Sequence, residues 1–349
     1  MGVGLIDDHE RQGLLKFLRR REAKNACVEL FAELHKKFDT KRGEITLAKT
    51  PSYDLIVDSF DAALSKGLVK DNELSDFLDR VETAGRQHVL LFNVPTKRVT
   101  ELNEALLNPL QPGSDTSLTT YWEPPASPFA RVTWAESSGT MTKVITKREY
   151  YVAKPPVTEG TKQITERELQ SERSAVILKL HRQKRLFQMR IPVLEDGPDE
   201  TATSLWKLAN KIFQEHLSID LLNQMQLFPL SDAFHQILEN FDDFILTQER
   251  EDDGDYYGTR GRRRALEGET RDLRQKEDWK HDDTPRLRLD GSWKINETRH
   301  LDCRMHYENL RLSSTVTKTF ARLFIPQACT DQEMDHVVNR IHEHIPARA

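Results

Sequence analysis

The sequence predicts an α+β protein: an N-terminal all-helical bundle, then an antiparallel-sheet α/β domain, then a C-terminal region of strands with a closing helix. Three observations predict it. Apolar residues recur at helical spacing through residues 5–110. A Pro-, Ser- and Thr-rich stretch, NPLQPGSDTSLTTYWEPPASP, then interrupts the chain. Beyond it the apolar period becomes two. The 349 residues exceed what one small core organises. The expected division is a helical domain at 1–108, a linker at 109–128, a mixed α/β domain with basic hairpins at 129–248, a charged loop at 249–284, and C-terminal strands with a helix at 285–349.

Within the first domain, Leu14, Leu15, Phe17 and Leu18 open an apolar stripe that Cys27, Val28, Leu30, Phe31 and Leu34 continue. Pro51 and Ser52 open a second helix with Leu55, Ile56, Phe60 and Leu64 on its face, closed by Gly67. Asp71 suits an N-cap for a third, with Leu74, Phe77, Leu78 and Val81. Val89–Phe92 forms a short buried element. After the linker, Phe129–Ala135 and Lys143–Ala153 alternate around a turn at Ser137-Ser138-Gly139, and Ala175–Leu180 with Leu186–Ile191 makes another hairpin. Helices are expected at 201–217 and 231–247, the second with Ser231 as N-cap and Phe234, Ile237, Leu238, Phe241, Phe244 and Ile245 on one face. Residues 249–283 are almost free of aliphatics and read as a loop. Strands resume at 286–295, 299–307 and 310–325, and Asp331–Ile345 is an amphipathic helix.

Composition narrows the function classes. No apolar run reaches the length of a membrane span, and the acids of MGVGLIDDHERQ do not suit a signal peptide. Cys27, Cys303 and Cys329 are scattered without a CxxC pair, which argues against a disulfide framework and for an intracellular, reducing compartment. No glycine-rich phosphate loop is present, and no cofactor is expected. His300, Asp302 and His306 share a strand face by parity, but Leu301, Cys303 and Met305 occupy the other, so a half-buried strand explains the pattern and no metal is expected. Hydrolase, kinase and deaminase signatures are absent, and the protein reads as no enzyme. The basic strands hold Glu136 and Glu149 but no carboxylate cluster for Mg²⁺, so a Mg²⁺-dependent nuclease subunit stands only as a second alternative.

The net charge of −5 conceals segregation. Residues 11–49 carry a net +6, residues 131–190 a net +7, and residues 195–256 a net −12. Arg11, Lys16, Arg19, Arg20 and Lys49 lie in the first basic stretch. Lys143, Lys147 and Arg148 lie on one hairpin of the second, and Lys179, Arg182, Lys184, Arg185 and Arg190 on the other. If the two stretches meet, they form a cationic groove that binds double-stranded DNA through its phosphates without sequence preference. The expected function is therefore a non-enzymatic DNA-binding adaptor. The first alternative is a protein-interaction scaffold whose cations are merely solvated.

The strands FARVTW (129–134) and EYYV (149–152), the passage KGLVKDNELSDFLDRVETAGRQHVLLFNV (66–94), the strand LFQMRI (186–191) and the helix around Trp206–Phe213 resemble the CENP-N family of inner-kinetochore proteins. The resemblance implies a pyrin-like N-terminal bundle, a positive groove holding centromeric DNA, and a CENP-L-like partner subunit at the C-terminal sheet. By position, Arg11 and Lys16 match groove residues and Asp8 matches an acidic reader of a histone loop, while the second reader falls at Gly4. The resemblance implies a nuclear, centromeric role in a eukaryote. In a bacterium it implies a DNA-binding subunit of a defence or genome-maintenance complex in the cytoplasm or nucleoid.

Overall fold

The computed structural model describes residues 8–19, 57–58, 60–62, 64, 69, 71–83, 85–113, 123–159, 162–194, 197, 199–239, 244–251, 262–264, 286–297, 299–311 and 317–345. In chain order these form α1 (Asp8–Leu18), α2 (Asp71–Thr83), β1 (Gly85–Asn93), a 3₁₀ turn (Thr96–Arg98) and α3 (Val99–Leu107). Then come β2 (Phe129–Glu136), β3 (Gly139–Ala153), β4 (Val157–Glu159), β5 (Lys162–Ile164), β6 (Arg167–His181) and β7 (Leu186–Pro192). They are followed by α4 (Ala202–His216), α5 (Ile219–Gln224), β8 (Gln226–Leu227), α6 (Leu230–Glu239), β9 (Phe244–Glu251) and β10 (Arg262–Arg264). The last elements are β11 (Arg286–Lys294), β12 (His300–Arg311), β13 (Thr317–Cys329) and α7 (Asp331–Glu343).

One antiparallel sheet dominates, in the order β10-β9-β11-β12-β13-β1-β7-β6-β3-β2, with β8 added at the end of β1. This overturns the expected fold class. Among the described residues there is no separate N-terminal helical bundle, and the strands before and after the acidic segment belong to a single sheet. The physical reason lies in β1. Its central run VLLF (89–92) is apolar without a period, which suits a helix turn and a strand buried on both faces equally well. Here it is a strand, paired with β13 on one side and β7 on the other. β1 is thereby stitched into the middle of the sheet, between strands that lie far along the chain.

Helices cover both faces. Val89 and Leu91 of β1 face a core shared with α6 and α7, whereas Leu90 and Phe92 face one shared with α3, α4 and α5. Thr201 caps α4, its Oγ1 accepting from the Ser204 amide at 3.2 Å. Thr330 caps α7 in a reciprocal box with Glu333. The helix expected at 231–247 ends at Glu239, and Phe244 already belongs to β9, where it packs on Trp293 with rings 4.9 Å apart. Ser231 is not the cap: it lies inside α6, and its amide donates to the Tyr307 hydroxyl at 2.9 Å. The loop expected at 249–284 is interrupted by the end of β9 and by β10. No helix among the described residues is long and apolar enough to cross a membrane.

Candidate nucleic-acid interface

Strand alternation decides where each cation goes. Ala130, Val144, Val176, Leu178, Met189 and Ile191 point into the core beneath α3, α4 and α5. Arg131, Lys143, Arg173, Lys179 and Arg190 have the opposite parity and form a cationic stripe across β2, β3, β6 and β7. Acidic helices cover that stripe. Lys143, 1% exposed, donates to Asp79 at 2.9 Å and to Glu82 at 2.8 Å, both on α2. Arg131 also pairs with Asp79 at 2.5 Å, and Arg173 pairs with Glu82. Arg190 is fully buried, bound to Asp331 and to Asp335 of α7, and its Nε donates to Gln188 at 2.9 Å. Lys179 joins the same two carboxylates. Burial raises the Asp79 and Asp331 carboxyls, but Lys143 and Arg131 for the first, and Arg190 and Lys179 for the second, more than offset it and leave both below their ordinary values.

Arg148 lies on the opposite face of the sheet. Its Nη1 donates to the Pro192 carbonyl at 2.8 Å and its Nη2 binds Glu200, just ahead of α4. Glu200 in turn lies 3.4 Å from His88 Nε2. Arg322 donates to His88 Nδ1 at 2.9 Å and pairs with Glu308 at 2.5 Å. A guanidinium only donates, so the neutral His88 ring carries its proton on Nε2, towards Glu200. Burial is the largest cause holding the His88 pKa below its usual value.

The expected groove therefore loses its central members. Lys143, Lys179 and Arg190 are interior ion-pair partners on one face, and Arg148 is one on the other. A phosphate would have to displace a carboxylate and unseat a helix to reach them. Arg11 pairs with Asp61 and Arg19 with Asp58 at 2.7 Å. Lys147 is exposed and pairs with Glu149 at 2.7 Å. Lys16 is exposed on α1. Arg20, Lys49 and the Asp8 side chain lie outside the described residues.

What the fold does gather is a tip. The β6–β7 turn closes with the Arg185 amide donating to the Arg182 carbonyl at 3.2 Å. The Arg182 amide donates to Ser138 in the β2–β3 turn at 2.9 Å, and Val94 donates to the Arg185 carbonyl at 2.8 Å. Arg185 sits at φ 50°, a left-handed conformation costly for any residue but glycine. Its guanidinium donates to Thr96 Oγ1 at 2.8 Å. Lys184 Nζ donates to Asn339 of α7 at 2.7 Å. Lys97 and Arg98 follow on the 3₁₀ turn, where Arg98 pairs with Glu101. Lys97, Arg182, Lys184 and Arg185 have no carboxylate partner among the described residues. Lys97 and Arg98 were missed because they are two charges between a buried run and a helix. The only local signal was Pro95, which ends β1 and makes the next residues turn outward.

Other candidates resolve into ordinary contacts. His306 binds Glu308 at 2.8 Å and Asp302 accepts from Ser292. Among the described residues no three His, Cys, Asp or Glu side chains come together to hold a metal ion. Cys303 and Cys329 are buried free thiols, and burial pushes the Cys329 thiol up to about 12.

Fold and site define a broad class: a helix-covered antiparallel sheet bearing a cationic loop cluster at one end. Compared with known proteins, the chain matches no family model, no curated protein and no solved structure.

Proposed function

We propose that the protein is a non-enzymatic adaptor that holds duplex DNA, without sequence preference, at the tip built from Lys97, Arg98, Arg182, Lys184 and Arg185. The observation that carries the reading is their convergence from separate turns, four of the five without a carboxylate partner among the described residues, while neighbouring cations are consumed by the interior. Rigid turns present these charges, so little ordering entropy opposes contact with phosphates. Among the described residues no recognition helix accompanies them, and phosphate contacts carry no sequence information by themselves.

The test is retardation of a random duplex by the whole chain carrying Lys97→Glu, Arg182→Glu and Arg185→Glu, beside a Lys147→Glu control. The triple variant loses retardation while the control keeps it. With about four phosphates neutralised, log K falls against log salt with a slope of about −3.5. Equal retardation by the triple variant and the unaltered chain refutes the site.

The adaptor reading includes a protein partner at the C-terminal part of the sheet, as the CENP-N resemblance implies. Among the described residues β9 is covered on its outer side only at Gln248–Arg250, so Phe244–Thr247 offers an edge to which a strand can add.

A second reading, a protein-interaction scaffold without DNA binding, is favoured by a different feature. The β3–β6 hairpin runs on beyond its neighbours, and on this extension Tyr151 and Leu169 are paired across the strands, 62% and 53% exposed. Under that reading no salt-sensitive retardation occurs, and Tyr151→Ser with Leu169→Ser abolishes capture of the partner.

A further inference from the structure

A cleft of about 540 Å³ opens beside the tip, between the β6–β7 turn, β8 and the end of α7. That volume falls within the range of ligand sites. Lys184 and Arg185 line it beside the apolar Leu186, Leu227, Phe228, Pro229 and Ile345, and the polar Asn93, Gln226 and His342 complete the lining. Among the described residues no Asp or Glu lines it. Among the described residues the two cations are hydrogen-bonded to neutral groups, Asn339 and Thr96, which fix their geometry without cancelling their charge. Leu227 is 44% exposed there, an apolar side chain left in water next to two unneutralised charges.

We infer that this cleft docks an acidic peptide segment of a partner protein, anchored by one large apolar side chain. Charge complementarity selects the occupant's sign, and the exposed leucine selects its apolar anchor. Duplex DNA satisfies only the first condition, because its backbone has no apolar knob to set between Leu227 and Ile345. The inference goes beyond the adaptor reading, although it shares Lys184 and Arg185 with the proposed DNA site. It also implies that peptide and duplex compete for those two cations.

The experiment uses the whole chain and a fluorescein-labelled peptide with one Phe flanked on both sides by Asp and Glu. A companion peptide replaces the Phe by Ala, and another replaces the acids by Asn and Gln. Saturable anisotropy is expected for the first peptide, with affinity about tenfold weaker for either companion, a difference of about 1.4 kcal/mol. Leu227→Ser, at a side chain already partly in water, removes the apolar anchor without adding charge beside Lys184 and Arg185; it weakens the peptide by a similar factor and leaves DNA retardation unchanged. Lys97→Glu does the reverse. Absence of saturable binding, peptide affinity equal in Leu227→Ser, or loss of DNA retardation in Leu227→Ser overturns the inference. Loss of the DNA reading alone leaves the peptide titration standing.

Discussion

Replacing Arg190 by Met separates the two roles that its charge can play. Arg190 is fully buried, and with Lys179 it balances Asp331 and Asp335, two positive charges against two negative. The Met side chain fills most of the space but leaves one cation against two carboxylates. Breaking a buried pair from one side costs about 3–5 kcal/mol, because the surviving charge is left uncompensated. The side chains of Asp331 and Asp335 remain 31% and 25% exposed, so water relieves part of the cost and the lower end, about 3 kcal/mol, applies. Against a total stability of about 5–15 kcal/mol this is large. With a urea slope of about 3 kcal/mol per molar, the midpoint falls by about 1 M. Adding Asp335→Asn restores a one-to-one balance and recovers part of the loss. The assays are urea titration followed by tryptophan fluorescence, and DNA retardation at a concentration of denaturant where the variant stays folded. An unchanged midpoint together with weakened DNA binding would refute the interior role and restore Arg190 to a DNA-binding surface.

Three further predictions follow from the same geometry. Arg185→Gly relieves the left-handed strain of about 1–2 kcal/mol, partly offset by glycine's larger unfolded entropy of about 1 kcal/mol. Stability is therefore unchanged or slightly higher, while the salt slope of DNA binding falls by about 0.9; a variant that destabilises by more than about 1 kcal/mol contradicts the turn assignment. Burial first, then Lys179, Arg190 and Lys184, against the opposing pull of Asp335, hold His181 at about 4. A depressed folded pKa means that its stabilisation is complete above the unfolded value of 6.5 and is lost as pH falls towards about 4. Urea midpoints of His181→Gln should accordingly change less over that interval than those of the unaltered chain, and parallel curves would exclude this source. Both ring nitrogens of His216, which is 1% exposed, lack partners among the described residues. His216→Leu should therefore raise stability by about 1 kcal/mol, and a fall of that size in a thermal or urea melt would show a partner that the ring needs.

Periodic, local signals carried much of the fold. The alternation in β3 and β7, the three C-terminal strands and the helices α4 and α7 are legible because side-chain period follows directly from backbone geometry. Two stretches misled for one reason. VLLF in β1, which reads as a short buried element of the helical domain, and Phe244–Leu246 in β9, of which Phe244 and Ile245 read as part of a helix face, are apolar without a clear period, and only pairing with distant strands chooses their place. Of the candidate site, the β6–β7 turn was legible as a basic hairpin end, since turn residues face solvent whatever surrounds them. Lys143, Lys179 and Arg190 looked equally available, because charge reads the same on a buried strand face as on a free one.

By itself the sequence determined which clearly periodic stretches extend or coil and where positive charge accumulates along the chain, since both are properties of neighbouring residues. Only the tertiary structure decided which charges remain free. Arg190 meets Asp331 and Asp335 across 141 and 145 residues of chain, and Lys143 meets Glu82 across 61. Such pairs form because a cation leaving water needs a carboxylate at contact distance, and the identity of that carboxylate is set by strand order and helix placement. The cations at the tip stay available for the complementary reason: the turns that hold them lie at the end of the sheet, and Lys97, Arg182, Lys184 and Arg185 meet no carboxylate among the described residues.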